Sequence, residues 1–296
     1  MEHESNGAEP SMQNSFEIKV VIKTDLGNIR TNNEDAASFL RIADEAIIRE
    51  RGYLLIVADG MGGHLAGEVA SKIAIDTISE EYFKKKNNGS REKVLAKAFS
   101  AANKKIFELA SANEQYRGMG TTCTALAIAG QTIYYAHAGD SRAYLYKNKS
   151  ITRITEDHTY VQQLVNNGDI SREEADIHPQ RNILTNAMGT KPDLRIDTGK
   201  CEALFEKNDR VMLCSDGLYD YLDDNEIASV MGYNSITDAA DYFIAEAKRR
   251  GGMDNITVIM AELENDSKEI NLKSTRDIYL PKLTRDADLP TNINNL

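Results

Sequence analysis

Cysteine is scarce in this chain of 296 residues: Cys123, Cys201 and Cys214 are odd in number, widely spaced and set among apolar neighbours. That pattern excludes a disulfide framework or a zinc knuckle, fits a reducing compartment, and makes all three expected core residues. No apolar run approaches the roughly 18 residues needed to span a bilayer. The polar, acidic stretch 1–15 has neither the basic start nor the apolar centre of a secretion signal, so a cytoplasmic location is expected. Positive charge is also short, because 35 Lys and Arg face 46 Asp and Glu for a formal net charge of -11. Such a balance repels phosphate backbones, and no basic stripe with interleaved aromatics marks a nucleic-acid face, so no nucleic-acid partner is expected. Repeats of 20 to 50 residues are missing, as are low-complexity blocks beyond 84–88.

What is present is a hydrophobic content of 41% spread through the middle of the chain, enough for one large core. The expected organisation is a polar tail over 1–15, one domain over 16–264, and an extension over 265–296 that still carries Ile270, Leu272, Ile278, Tyr279, Leu280 and Leu283. Short β-branched or aromatic runs closed by Gly, Asp or Asn predict strands over 53–58, 121–129, 132–138, 142–147, 210–214 and 255–263. The links 130–131 and 139–141 are too short for a crossover helix, so the middle three read as an antiparallel meander. Apolar residues spaced by three and four predict helices over 66–82 and 94–109. A third, over 238–250, ends in Lys248-Arg249-Arg250 before Gly251-Gly252, as a helix C-terminus does. Antiparallel strands with one-faced helices imply an α+β layered domain.

The strongest local feature is Leu54-Leu55-Ile56-Val57-Ala58-Asp59-Gly60-Met61-Gly62-Gly63-His64, an apolar strand running into a carboxylate and a glycine-rich turn. Glycine lets backbone approach a ligand closely, so an ion or a phosphate fits there. The same grammar recurs at Cys214-Ser215-Asp216-Gly217 and at Met253-Asp254-Asn255-Ile256, with further acids at Asp140 and at Glu34-Asp35. Taken singly, each Asp reads as readily as a cap or turn residue. As a set they are carboxylates at apolar strand ends, costly unless paired with a cation, and their hard oxygens select Mg²⁺ or Mn²⁺ over zinc.

In chain order these and further segments read Arg30-Thr31-Asn32-Asn33-Glu34-Asp35, Asp59-Gly60-Met61-Gly62-Gly63-His64, Gly118-Met119-Gly120-Thr121-Thr122, Gly139-Asp140-Ser141-Arg142, Ser215-Asp216-Gly217-Leu218 and Gly252-Met253-Asp254-Asn255-Ile256-Thr257. Together they resemble the PP2C family of metal-dependent protein phosphatases, in its compact bacterial branch. The resemblance implies a β-sandwich of two antiparallel sheets flanked by helices, with two divalent metal ions, Mn²⁺ or Mg²⁺, at one end. It implies hydrolysis of phosphoserine and phosphothreonine by direct attack of a water activated between the metals. Position by position, it implies Asp59 bridging the metals, Asp216 and Asp254 on one, the Gly60 carbonyl on the other, and Asp35 or Glu34 supporting the latter through water. Asp140 matches the acid of a third, weaker metal, and Arg30 the residue that holds substrate phosphate. Phosphorylated substrates of a Ser/Thr kinase, and the kinase itself, are the implied partners, with a monomer as the default state.

One departure stands out: human-type members carry His directly after the Asp-Gly pair, where this chain has Met61, with His64 three residues later. His64 therefore reads either as the acid for the leaving group or as a structural residue, a metal-bound water being the alternative acid. Residues 155–190, with His158, His178, Arg181 and Asn186, resemble the family's variable flap. They read as a helix through Leu164 to Gly168, then one capped at Ser171-Arg172-Glu173-Glu174. His158 and His178 fit surface positions. Other phosphatase chemistries lack their motifs: no cysteine has Arg six positions on, and there is no Asp-x-Asp-x-Thr/Val segment, His-rich set or Gly-x-x-x-x-Gly-Lys-Ser/Thr loop. A non-hydrolysing phosphoprotein binder is the rival of another class, but Asp59, Asp216 and Asp254 are all present.

Overall fold

The computed structural model describes residues 17–42, 44–62, 65–84 and 89–264. The expected tail over 1–15, the extension over 265–296 and His64 lie outside them. In chain order the elements are β1 (Glu17–Asp25), β2 (Asp35–Leu40), α1 (Glu45–Arg51), β3 (Tyr53–Met61), α2 (Leu65–Phe83), α3 (Arg91–Ala112), β4 (Gly120–Thr121), β5 (Cys123–Ala129), β6 (Thr132–Ala138), β7 (Arg142–Lys147) and β8 (Ser150–Arg153). They continue with α4 (Tyr160–Asn167), α5 (Arg172–Asp176), β9 (Asp197–Lys200), β10 (Arg210–Cys214), α6 (Asp216–Tyr219), α7 (Asp224–Met231), α8 (Ile236–Arg250) and β11 (Ile256–Glu264). No helix among the described residues is long and apolar enough to cross a membrane.

Two antiparallel sheets stack face to face, one ordered β1-β11-β10-β7-β8 and the other β2-β3-β5-β6-β9, with β4 paired to the end of β3. The two-residue period of a strand sorts side chains into three cores. Along β3, Leu55 and Val57 meet Leu213, Ile259 and Ala261 between the sheets. Leu54, Ile56 and Ala58 face the opposite way, onto Ala70, Ala74 and Ile78 of α2 and Leu95, Ala98 and Phe99 of α3. On the far side Met212, Cys214, Val258 and Met260 pack on Ile227 of α7 and Phe243 of α8. Both faces of β3, β10 and β11 are therefore covered, which is why they read as continuous apolar runs. Alanines at the crossing of α2 and α3 let those helices sit close to the sheet.

The expected meander is only half present. β5 and β6 form a hairpin, but β7 pairs with β10 and β8 in the other sheet. The link 139–141 turns the chain from one sheet to the next rather than folding it back, through Gly139 at φ 113°. Two further expectations need correction: Cys201 is only partly buried, and His158 is 3% exposed, a core residue rather than a surface one. The two helices expected within 155–190 do form. Thr159 caps α4 and Gly168 ends it in the left-handed region, while Ser171 and Glu174 close a reciprocal capping box on α5.

Candidate active site

The acids come from strand ends of both sheets and converge at one end of the sandwich. Asp35 opens β2 directly opposite Asp59 on β3. Asp140 sits in the turn between the sheets, Asp216 starts α6 after β10, and Asp254 precedes β11. Arg30, Glu34, Asp59, Gly60, Asp140, Asp216 and Asp254 all line one cleft of about 310 Å³. Asp35 stands behind it, accepting a hydrogen bond from Ser215 Oγ at 2.8 Å. A larger cleft of about 720 Å³, between the end of α3 and Gly189-Thr190, contains none of these carboxylates.

Backbone fit fixes the positions. A Cβ on Gly60 would lie 2.2 Å from the Gly67 carbonyl and 2.6 Å from that of Glu34, so only glycine lets the end of β3 pass between them. A Cβ on Gly217 would lie 2.0 Å from the Asn255 carbonyl; α6 is thereby pressed onto the start of β11, bringing Asp216 beside Asp254. Hydrogen bonds complete the frame. Asp59 N–H donates to Thr122 Oγ1 at 3.0 Å, and Thr121 Oγ1 donates to the Asp59 carbonyl at 2.8 Å. Asn255 fastens the β1–β2 loop to the start of β11 at three points, accepting from Glu34 N–H at 2.8 Å and donating to the carbonyls of Leu26 and Asn32. Thr122, Ser215 and Asn255 lie inside segments that the sequence singled out, but their role is to hold acids, a geometric role that residue type alone does not signal. Asn182 and Leu184, from the segment 155–190, also line the cleft; nothing in their local pattern announces it.

The turn that carries Asp140 is clamped from the segment 155–190. His158 N–H donates to the Gly139 carbonyl at 2.7 Å, and His158 Nδ1 accepts from Gly139 N–H at 3.2 Å and Asn186 Nδ2 at 2.8 Å. Arg142 forks onto the buried Asp157 carboxylate and stacks on Tyr219, 3.5 Å from its ring centroid. Tyr219 in turn donates to the Asp140 carbonyl at 3.1 Å. Arg30 is the exposed cation of the cleft, its Nη2 2.7 Å from Asp254 Oδ2. His178 is partly exposed, and Arg181 pairs with Asp220 at 3.3 Å.

Crowding these carboxylates has an electrostatic cost. Burial, then repulsion from Asp35, Asp216, Asp140 and Asp254, pushes Asp59 well above the usual carboxylate range. Burial followed by Asp140 and Asp220 does the same to Asp216. Burial lifts Asp35 to about 6 despite its hydrogen bonds, and burial with repulsion from Asp157 lifts Asp140 to about 7. Asp216 Oδ1 is buried with no hydrogen-bond partner among the described residues. An orphaned acceptor among like charges is what a cation resolves. Among the described residues no three His, Cys, Asp or Glu side chains close a metal site by themselves. The donors lining the cleft, carboxylate oxygens with a backbone carbonyl, fit hard ions that keep several waters.

A fold of two antiparallel sheets between helices, with an acid cluster for divalent ions at one end, defines a metal-dependent phosphoester hydrolase. The protein phosphatase 2C family model matches residues 30–252. The serine/threonine phosphatase stp of Listeria welshimeri is 37% identical over 244 residues, 81% of this chain and 94% of that protein. The Mycobacterium tuberculosis serine/threonine phosphatase PstP/Ppp aligns with a TM-score of 0.74 at 36% identity, over 84% of this chain and 99% of that one. A PstP catalytic domain crystallised with two manganese ions aligns at 0.72 and 33% identity, over 85% of this chain and all of that one. This chain belongs to the protein phosphatase 2C family. Its activity is that of a metal-dependent protein phosphatase using two divalent ions, Mn²⁺ or Mg²⁺.

Proposed function

We propose that the cleft hydrolyses phosphoserine and phosphothreonine esters in proteins, and that the sequence-derived roles apply residue by residue. Asp59, the Gly60 carbonyl, Asp216 and Asp254 would hold the two ions, with Asp35 or Glu34 in support, and Asp140 would hold a third. When bound, the ions supply a water with a weakened hold on its proton and positive charge beside the phosphoryl oxygens. The chain's own residues do the positioning. Asp35, held by Ser215 and in register with Asp59, orients the Asp59 carboxylate. Arg30 presents a planar fork to two phosphoryl oxygens, as lysine cannot, exchanging its contact with Asp254 for the substrate. The turn braced by Tyr219 and His158 keeps Asp140 aimed into the cleft.

The observation that carries this reading is the convergence of acids from both sheets on one cleft, with an Asp216 oxygen that has no partner among the described residues and the exposed Arg30 beside them. Substrates phosphorylated by a Ser/Thr kinase, a kinase partner and a monomeric, cytoplasmic enzyme complete the proposal. Initial-rate phosphate release from a phosphothreonyl peptide, with Mn²⁺ or Mg²⁺ or with chelator, tests it beside an Asp216→Asn control. Turnover that needs the ion and disappears in the variant is expected. A folded wild type that binds the peptide and releases no phosphate would favour a phosphoprotein-binding role.

A further inference from the structure

Phosphate is common to every phosphoprotein, so selectivity has to come from the rim of the cleft. Among the described residues, the three most exposed large apolar side chains are Ile177 at 82%, Met253 at 65% and Ile29 at 63%. Two of them, Ile29 and Met253, immediately precede Arg30 and Asp254, the ion pair that lines the cleft. Their loops are fastened together. Asn28 N–H donates to the Gly252 carbonyl at 2.6 Å, and its side chain donates to the carbonyls of Lys248 at 2.7 Å and Gly251 at 2.9 Å. Met253 N–H donates to Tyr221 Oη at 2.9 Å, and a Cβ on Gly27 would lie 2.2 Å from the Asp254 carbonyl. With Asn28 tied to Gly252 and Arg30 tied to Asp254, the residue between each pair stands on the same edge. A lone exposed isoleucine needs no explanation, but two apolar side chains on a rigid, hydrogen-bonded ledge beside a phosphate ligand point to an occupant.

We propose that Ile29 and Met253 form an apolar shelf for the substrate peptide, receiving a side chain that flanks the phosphorylated residue. Phosphopeptides with leucine, isoleucine, valine or phenylalanine in a flanking position are then the preferred substrates. The occupant follows from continuity: the shelf residues are chain neighbours of Arg30 and Asp254, and an extended peptide advances about 3.3 Å per residue, so a flanking side chain reaches the ledge while the phosphate stays in the cleft. The inference rests on the phosphoprotein reading above.

The test compares kcat/KM for phosphothreonyl peptides carrying leucine or serine at each flanking position, with p-nitrophenyl phosphate as the small substrate, in the wild type, an Ile29→Ser/Met253→Ser variant and an Ile29→Leu/Met253→Leu variant. The wild type should prefer leucine in one flanking position by about tenfold, the value of partly burying one aliphatic side chain. The serine variant should lose that preference and keep its p-nitrophenyl phosphate rate, and the leucine variant should keep both. Equal kcat/KM for leucine and serine peptides in the wild type, or a preference untouched by the serine substitutions, would overturn the shelf. A dimer in sedimentation that the serine variant abolishes, with peptide preference unchanged, would assign the ledge to a second copy and overturn it as well. A wild type that hydrolyses p-nitrophenyl phosphate and no phosphopeptide would sink the underlying reading instead.

Discussion

Replacing Asp140 with asparagine should stabilise the metal-free protein far more at pH 8 than at pH 5. Asp140 is 6% exposed, and burial first, then Asp157, raises its carboxyl from 3.8 to about 7 against the opposing pull of Arg142. A carboxyl whose folded value lies above its unfolded one supports the fold fully below about 3.8, and that support is lost as pH rises toward 7. A rise of about 3 units corresponds to about 4 kcal/mol at most, of which about 3 kcal/mol accrues between pH 5 and pH 8. Asparagine keeps the shape and discards the charge. In chelator, the variant's gain in melting temperature should therefore be larger at pH 8 than at pH 5 by roughly 6 to 12 °C.

The comparison is between variant and wild type at each pH, so groups that Asp140 does not repel cancel, while Asp59 and Asp216, which it does repel, add to the gain at high pH in the same direction. His137 is one of the groups that cancel, held down to about 4 chiefly by burial; its contribution weakens as pH falls below its unfolded value near 6.5. Saturating Mn²⁺ should shrink or reverse the gain, since an ion answers the charge that asparagine removes. Thermal unfolding followed by circular dichroism, in chelator and in Mn²⁺ at both pH values, reads all four conditions. Equal gains at pH 5 and pH 8, or no gain at pH 8, would refute the argument that buried repulsion at this turn is what a cation relieves.

Asp59→Asn, Asp216→Asn and Asp254→Asn should each lower turnover by more than about 10³-fold with an unchanged far-ultraviolet spectrum; wild-type activity in any one removes that residue from the site. Arg30→Ala should raise KM for a phosphopeptide by about 10- to 100-fold, the worth of charge-assisted hydrogen bonds, with Arg30→Lys recovering little of it. Full recovery by lysine would show that charge alone is needed there. His64→Gln should slow a phosphopeptide, whose alkoxide needs a proton, more than an aryl phosphate with its better leaving group, if His64 is the acid. Full rate on both substrates would retire that role.

Legibility in the sequence followed burial and local geometry. Strands covered on both faces were visible as apolar runs, and β7 and β10 lie within the residues expected of them. The helices with one buried face were visible through their spacing, and the two helices within 155–190 through their capping residues. Edge elements were not. β1 sets Val20, Val21 and Ile22 between Lys19 and Lys23 in mostly half-buried positions, β2 is rich in small residues, and the four-residue β8 and β9 are too short to carry a period. Of the site, the acids could be named only as a set, since one carboxylate at a strand end reads as readily as a cap, whereas several at apolar strand ends, in the order of the family's motifs, do not. The residues that aim them could not, since Ser215, Thr122 and Asn255 are ordinary polar residues until tertiary contacts place them.

The failed meander explains why the site exists where it does. A three-residue link between two strands reads equally well as a hairpin or as a passage between sheets, because both need only a glycine and a turn former. The choice is made by partners far away in sequence: β7 finds β10, whose far side finds β11. Had β7 paired with β6, Asp140 would sit on the rim of one sheet. Crossing at Gly139 instead puts it in the seam, facing Asp59 from one sheet and Asp216 from the other, and the like-charge cost of that seam is what gives divalent ions a reason to bind.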